Sequence, residues 1–572
     1  MNPTRSRLLV VSLLAAVVGC RPAVPPPGDD GEPQFPATNR PDVRGTQGAV
    51  SAGHPLAAQV GLGVLRDGGN AVDAAVAMAA VLAVVRPHMN GVGGDAFVLV
   101  YEAATGEVHA LNGSGRSGAL ATPAFFADRG LDAVPEKGAL AVSVPGAVAA
   151  WVDVHARFGI KPFVELLDPA IGYARDGFPV STRLASDFRD QGGDLNEAGR
   201  ALYLPGGEPP AVGSLLKNPA LARTLEAVAA HGTSGFYHGA VADRIGTFLA
   251  AEGGHVRRSD LGAHTSTWVD PLRGTYLDHE FLVFPPNTQG LAQLQLFEMA
   301  KSFDFRVMGV NTSSYLHTLV ELKKIAFADR DRWVADPQLA AIPVHDLLDP
   351  AYLAERARLV DPARAAASVP AGIGDAPDAA PGAVDDSGDT VYLTAVDRWG
   401  NAVSWIQSLF AGFGSGLLEP ETGVLLHNRG ALYTLEPGHP NLVAPGKRPY
   451  HTLTPLMALR GGVLAFTLGT PGGDSQTQSL LQIVHDLLLF GMTPQEAVEA
   501  PRFRSYAGLG LALEDRVPAP VRAALSAMGH DVRVVGGWTA TFGGAQMIRV
   551  EPGSGTLTVA SDPRREAYGL AY

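Results

Sequence analysis

Apolar positions along the chain fall into two distinct regimes. Residues 71–86, AVDAAVAMAAVLAVVR, are apolar on every side of a helical projection, and Gly68-Gly69-Asn70 precedes them, with Asp73 three residues beyond the asparagine. This spacing predicts a helix capped by Asn70 and stopped by Pro87. A helix that is apolar all round must be buried, and this one is short for a membrane span. The second regime opens at residue 390, where TVYLTAVDRWGNAVSWIQSLF sets two β-rich runs on either side of Asp397-Arg398-Trp399-Gly400-Asn401. That pattern predicts a β-hairpin. Immediately upstream, residues 369–389 lose all periodicity and are mostly Ala, Pro, Gly and Asp, which predicts a mobile surface linker.

Elsewhere helix and strand patterns interleave. Residues 90–95 form a glycine-rich loop leading into the strand AFVLVYEA and the turn Thr105-Gly106. The order is helix–loop–strand, whereas a dinucleotide fingerprint requires strand–loop–helix, so that reading is rejected. Helical patterns dominate residues 147–361, broken by loops such as 284–290. Beyond residue 390 the expectation is strands and turns, with a strand over 463–467, one helix over 479–489, and terminal strands near 546–550 and 556–559. Such interleaving predicts a layered α/β body, beginning near Val43, in which segments from both sides of residue 390 share a core.

Composition narrows the partners. The net charge is −13 with no basic tract, so nucleic acid is not an expected partner. At the N-terminus Arg5 and Arg7 precede an apolar run, residues 8–18, too short to span a membrane. The run ends Val17-Val18-Gly19-Cys20, and Cys20 is the only cysteine. This resembles a bacterial lipobox, in which the cysteine is lipidated; a plain secretory signal with an incidental cysteine is the other reading. Residues 1–19 are then a lipoprotein signal peptide and residues 20–42 a Pro-rich tether. The protein is expected to be exported and held at a bacterial membrane only through that lipid, with no internal disulfide.

The junction at Thr390 carries the candidate chemistry. It fits an ordinary linker before a strand, or a threonine whose hydroxyl attacks its own upstream peptide bond. In the second case the linker is released and the new terminal amine becomes the base that a weak hydroxyl nucleophile requires. Such chemistry also needs donors for an oxyanion. Leu468-Gly469-Thr470-Pro471-Gly472-Gly473-Asp474 follows a predicted strand and precedes a helix, so its glycine amides point outward near a helix N-terminus. A plain strand-to-helix turn is the alternative.

A series of motifs links these pieces. GGNAVDAAVA, the Pro-His-x-x-Gly-x-Gly-Gly stretch at 87–94, SVPGAV (143–148), AFADRDRWVADP (326–337), DTVYLTAVDRWGNAVSW (389–405), FGSG (413–416), GKRPYHTLTP (446–455), LGTPGGD (468–474), FGGAQMI and SDPR appear in that order. Together they resemble the γ-glutamyltranspeptidase family, and the likeness runs from about Gly48 to Tyr572. It implies the four-layer αββα sandwich of N-terminal-nucleophile hydrolases, an α/β fold formed by two subunits of one precursor. Residues 43–389 become the large subunit and residues 390–572 the small one, by autocleavage between Asp389 and Thr390. Thr390 matches the nucleophile, Ser408 a hydroxyl that orients it, Gly472 and Gly473 the oxyanion glycines, and Arg116 the arginine that grips the donor's α-carboxylate. The implied activity is acyl hydrolysis or transfer on small amides and peptides, including γ-glutamyl amides such as glutathione, through an acyl-enzyme.

Departures from the family pattern cluster at donor recognition. Phe410 stands where an asparagine is usual, Arg429 and Leu432 where a glutamine and an aspartate are usual, and His451-Thr452 where two serines are usual. The usual aspartate neutralises the glutamyl α-ammonium, and losing one partner of a buried charge pair costs about 2–5 kcal/mol. The sequence therefore leans toward desamino donors such as glutaryl amides, as in cephalosporin-acylase-like members, unless Glu436 or Asp474 replaces the lost charge. The short connection over residues 433–447 predicts an open pocket that favours hydrolysis. A non-catalytic binding lipoprotein on the same fold is the alternative of another class. Sixteen histidines show no metal-ligand spacing, so neither a metal nor an organic cofactor is expected, and most histidines are assigned to the surface or to a hydrogen-bonded core.

Overall fold

The computed structural model describes residues 38–374 and 389–572. Two seven-stranded sheets stack face to face, and helices cover both outer faces, giving an αββα sandwich. The strands of these sheets, in chain order, are β1 (Val43–Gly45), β2 (Ala49–Ala52), β3 (Asp95–Glu102), β4 (Glu107–Gly113), β5 (Thr267–Val269), β6 (Leu272–Tyr276) and β7 (His279–Val283). They continue with β8 (Asp389–Val396), β9 (Ala402–Phe410), β10 (Leu456–Arg460), β11 (Val463–Gly469), β12 (Gln546–Val550), β13 (Leu557–Ser561) and β14 (Tyr568–Ala571). One sheet runs β14-β2-β8-β9-β3-β4-β5 and the other β1-β13-β12-β11-β10-β7-β6. Each mixes strands from both sides of the Asp389–Thr390 bond, as the shared core required.

Alternation along β8 explains how the layers meet. Val391, Leu393 and Ala395 face the helix layer, while Tyr392 and Val396 enter the core between the sheets. Thr394 belongs to the second set, and its Oγ1 lies 2.6 Å from Thr467 Oγ1 on β11. Under the first set lies the predicted helix, here α2 (Ala71–Val85), following α1 (Pro55–Arg66); every residue of α2 is buried. Asn70 caps it through a 2.9 Å bond from the Asp73 amide, and Asp73 answers with a 3.0 Å bond from the Asn70 amide. The hairpin turn joins the same helix end, because Ala71 N donates to Asp397 Oδ2 at 3.0 Å. The second helix layer includes α3 (Gly290–Ala300), α4 (Ser313–Trp333), α5 (Ser475–Leu488) and α6 (Pro494–Glu499).

Several sequence expectations change. The helix-rich stretch 147–361 also contributes β5, β6 and β7, three short strands submerged among longer helical patterns. After residue 390 there are three helices rather than one: α5, α6 and α7 (Ala519–Ala527), the last two too short to build a periodic signal. The linker expected over 369–389 is shorter. Residues 369–374 are docked, with Gly372 N donating to Asp329 Oδ1 at 2.8 Å, Trp333 Nε1 to Ile373 O at 3.0 Å and Arg356 Nη2 to Pro370 O at 2.6 Å. Asp389 is a buried strand residue. The body also starts before Val43, because Asn39 N and Arg40 N donate to the Glu499 carboxylate at 2.6 and 3.2 Å. The signal peptide, Cys20, most of the tether and residues 375–388 of the linker lie outside the described residues. Among the described residues no helix is long and apolar enough to cross a membrane.

Several histidines lie in the core, and this sets an acid limit on the fold. Burial lowers His54 to about 3, His255 to about 4, His264 to about 3 and His485 to about 3. An unfolded imidazole titrates near 6.5, so these groups stay neutral in the fold at pH values where the unfolded chain binds protons. Stability from them is complete above pH 6.5 and drains as pH falls toward 4. Asp486, whose carboxyl is pushed well up by burial, opposes this. Burial also lowers His530 to about 4, so unfolding at pH 5 should take up protons and the denaturant midpoint should fall between pH 6.5 and 4.5. A midpoint that is flat across that interval would contradict the assignment.

Candidate active site

Strand register assembles the site. Thr390 on β8 faces Ser408 on β9, and Ser408 faces Asp95 at the start of β3. Directly opposed residues share a face of the sheet, so the three side chains form one row across neighbouring strands. The row lies on the same face as Tyr392 and Thr394, toward the second sheet, and all three members are buried. A β-bulge falls at Asp389/Thr390: Asp389 pairs with Phe410 and Thr390 with Ser408, leaving Leu409 extra. Phe410 closes the bulge at φ +81°, a left-handed conformation uncommon for an aromatic residue.

The bulge gives Ser408 three partners. Its Oγ accepts from Thr390 Oγ1 at 3.0 Å and from Phe410 N at 2.8 Å, and donates to the Asp389 carbonyl oxygen at 2.8 Å. With two donors already pointing at it, the serine proton has only the carbonyl to reach. One hydroxyl thus lies between the expected nucleophile and the carbonyl that nucleophile would attack.

The glycine loop approaches from the other sheet. A Cβ at Gly469 would meet the Tyr392 ring at 2.2 Å, so only glycine lets β11 come this close to the strand carrying Thr390. Gly472 and Gly473 have φ +127° and +55°. Ser475 closes the turn on Gly472 O through its amide and hydroxyl, at 3.0 and 2.9 Å. The amides of Gly472 and Gly473 have no acceptor among the described residues, and they precede α5, where backbone donors favour negative charge. Asp474 is held by Arg330 at 2.9 and 3.2 Å, and Arg330 also donates to Gln289 Oε1 at 3.0 Å. Gln289 Nε2 in turn reaches Thr452 O at 2.6 Å and Gly473 O at 3.3 Å, fixing both loops.

The expected donor residues divide into two groups. Phe410, Arg429, Leu432 and Thr452 come together: the Arg429 guanidinium lies 4.5 Å from the Phe410 ring centre and donates from Nη1 to Thr452 Oγ1 at 3.3 Å. Leu432 is buried with Phe410, Tyr450 and Leu291. Arg429 is fully buried, and its Nε and Nη2 have no hydrogen-bond partner among the described residues. Burial lowers its pKa to about 10, which leaves it charged at neutral pH. His451 instead joins the Asp95 row, 3.5 Å from Asp95 Oδ2. Arg116 is half-buried and donates only to neutral oxygens, Thr265 O at 3.3 Å and Gln338 Oε1 at 3.2 Å.

Asp95 and His427 were missed by sequence reasoning. Asp95 Oδ1 accepts from Gly115 N at 2.9 Å and so braces the loop bearing Arg116, while Oδ2 lies 3.2 Å from His427 Nδ1. Burial opposes ionisation of Asp95, but the neighbouring His427, His451 and Arg429 hold its carboxyl well below the usual range. Burial, helped by Arg429, pushes His451 well down. The only signal in the sequence is that Asp95 ends the Gly-x-Gly-Gly run and opens a strand.

Among the described residues one cluster has metal-ligand types, His317, Glu321 and His530. Its atoms are engaged elsewhere: His317 Nδ1 with His530 Nε2 at 2.8 Å, His317 Nε2 with Asp361 O at 2.7 Å, and Glu321 with Lys324 Nζ and Ala366 N at 2.8 and 3.1 Å.

The model of the family described as Gamma-glutamyltranspeptidase matches residues 57–572. The chain is 37% identical over 534 residues to the glutathione hydrolase-like YwrD proenzyme of Bacillus subtilis, covering 91% of this chain and 98% of the relative. It is 36% identical over 547 residues to the oxamate amidohydrolase proenzyme of Klebsiella pneumoniae, covering 92% and 99%. The crystal structure of cephalosporin acylase from Bacillus halodurans superposes with a TM-score of 0.87 at 33% identity, covering 95% and 99% of the two chains.

If Asp95 is the counter-charge of the buried Arg429, D95N should destabilise the protein by about 3–5 kcal/mol, because that cation loses its partner while the volume is kept. Denaturant titration measures this, and a loss below about 1 kcal/mol would contradict the assignment.

Proposed function

The chain belongs to the gamma-glutamyltranspeptidase family, and we propose that Thr390 is its self-liberated nucleophile and that its preferred donors carry a carboxylate but no α-amine. It is an amidohydrolase-type enzyme made as a proenzyme. The observation that carries the nucleophile assignment is the placement of Ser408 Oγ between the Thr390 hydroxyl and the Asp389 carbonyl.

Self-cleavage proceeds in two balanced steps. Thr390 Oγ bonds to the Asp389 carbonyl carbon, the carbon–nitrogen bond breaks, and the hydroxyl proton ends on the freed Thr390 nitrogen. Water then splits the ester, leaving a carboxylate on Asp389 and restoring the hydroxyl beside a free amine. In turnover that amine takes the hydroxyl proton as Oγ attacks a donor amide, and returns it to the leaving amine. The Gly472 and Gly473 amides are positioned to bind the oxyanion. Water, or an amine acceptor, resolves the acyl-enzyme.

Donor preference follows from charge. The position that would face a glutamyl ammonium is Leu432, in an apolar cluster. Neither suggested substitute supplies the charge: Asp474 is paired with Arg330, and Glu436 is exposed on the surface. Beside Leu432, Arg429 offers unpartnered N–H groups, a costly arrangement unless an anionic ligand completes it. A glutaryl-type acyl group satisfies both residues. The acylase and oxamate amidohydrolase relatives agree with such donors, while γ-glutamyl amides are the donors implied by the glutathione hydrolase-like relative.

Rates on glutaryl- and γ-glutamyl-p-nitroanilide decide between them. The expected kcat/KM ratio favours glutaryl by about 30-fold or more, the equivalent of 2 kcal/mol, and L432D should shift it toward γ-glutamyl. A wild-type preference for γ-glutamyl would overturn the donor assignment. We also propose that Cys20 carries a lipid that holds the exported enzyme at a membrane, a reading supported by the Val-Val-Gly-Cys run. Labelled fatty acid should enter the wild type and not C20A, and equal labelling of the two would contradict it.

A further inference from the structure

The residue preceding the nucleophile is held twice. Its carbonyl oxygen is bound by Ser408, and its carboxylate Oδ1 lies 2.8 Å from Arg565 Nη1. Both partners of this ion pair are nearly buried, with 4% of the Asp389 and 10% of the Arg565 side chain exposed. Arg565 reaches this position over the second glycine of Gly543-Gly544, where a Cβ on Gly544 would meet the Arg565 stem at 3.0 Å. Its other amino group donates to Ala540 O at 3.3 Å, so both ends of the fork are fixed. The same glycine pair is tied to the oxyanion loop, because Gly544 N donates to Thr470 Oγ1 at 3.1 Å. The small-subunit segment carrying Arg565 thus grips the last residue of the large subunit beside the loop expected to stabilise the developing charge.

We propose that Arg565 is a positioning residue for self-cleavage, acting through the Asp389 side chain to hold the Asp389–Thr390 peptide group on Ser408. The reasoning is geometric. A single hydrogen bond to a carbonyl oxygen leaves the peptide plane free to swing about that contact, whereas a second anchor on the same residue's side chain removes the swing. Attack on a carbonyl carbon is sensitive to such placement, and misplacement of about 1 Å costs roughly 100-fold. No group beyond Thr390, Ser408 and the scissile amide takes part in bond making; Arg565 keeps its proton throughout. The pair can position the scissile peptide group only while Asp389 is joined to Thr390, so its proposed contribution is to maturation.

The inference rests on the reading that the Asp389–Thr390 bond is the one cleaved, and the test separates the two. Precursor is made by pulse-labelled in vitro translation, and its conversion to two chains is followed by gel, with N-terminal sequencing of the small chain. Wild type should give a small chain beginning at Thr390, and T390A should give none. R565M and D389N should each slow conversion about 10- to 100-fold, D389N keeping the side-chain volume. The double variant should be no slower than the slower single one, and R565K should recover part of the rate. A merely structural role for Arg565 predicts additive effects and no difference between lysine and methionine. Conversion of R565M at the wild-type rate, or additive effects in the double variant, overturns the positioning role while leaving Thr390 as the nucleophile. A small chain beginning elsewhere, or cleavage of T390A, overturns the cleavage reading itself.

Discussion

A displaced strand register at Asp389/Thr390 is the constraint on which the site depends. Without the bulge, the register that pairs Thr390 with Ser408 would continue and set Asp389 opposite Leu409; with it, Asp389 pairs with Phe410 instead. With it, Phe410 N turns back onto Ser408 Oγ, the serine's lone pairs are occupied by two donors, and its proton is directed to the Asp389 carbonyl. A buried hydroxyl with its hydrogen-bonding capacity used in this way cannot reorient without leaving a polar group unsatisfied. The cost of the arrangement is visible in the left-handed Phe410, an aromatic residue in a sparsely populated conformation at a functional bond.

Layering makes cutting this bond compatible with a stable fold. Because both sheets take strands from each side of residue 389, breaking one peptide bond leaves the ladders, the inter-sheet core and both helix layers in place. The same layering supplies the rest of the site. β11 can deliver its glycine loop to Thr390 only because Gly469 lets Tyr392 pack against its backbone, and Gln289 and Arg330 bind that loop to elements upstream of residue 389. Charge is distributed unevenly around Thr390: the Asp95 carboxylate is surrounded by His427, His451 and Arg429, whereas the Leu432 side is apolar.

Local features of the site were legible in the sequence, and those made by long-range register were not. The α2 helix with its Asn70–Asp73 cap, the hairpin after Thr390 and the Leu468-to-Asp474 loop each declare themselves within a short window of periodicity or turn chemistry, and the structure contains all three. Asp95 could not be found that way, because its role comes from lying opposite Ser408, more than three hundred residues away in sequence. The docking of residues 369–374 was hidden for a related reason: Arg356, Trp333 and Asp329 capture backbone groups there, and a backbone carbonyl carries no sequence signature. Arg429 was visible as a departure from the family pattern, but its burial without a full set of partners is a property of packing alone.

The proposed chemistry requires one threonine, released from its own peptide bond, to carry the acyl group during turnover. The measurement that tests it most directly is intact-mass spectrometry of enzyme quenched in acid while turning over a glutaryl amide, with the modified peptide then sequenced. Two chains are expected, the smaller beginning at Thr390 and heavier by one glutaryl group on that residue. A single full-length chain that hydrolyses the amide, or an acyl group on any other side chain, would contradict it.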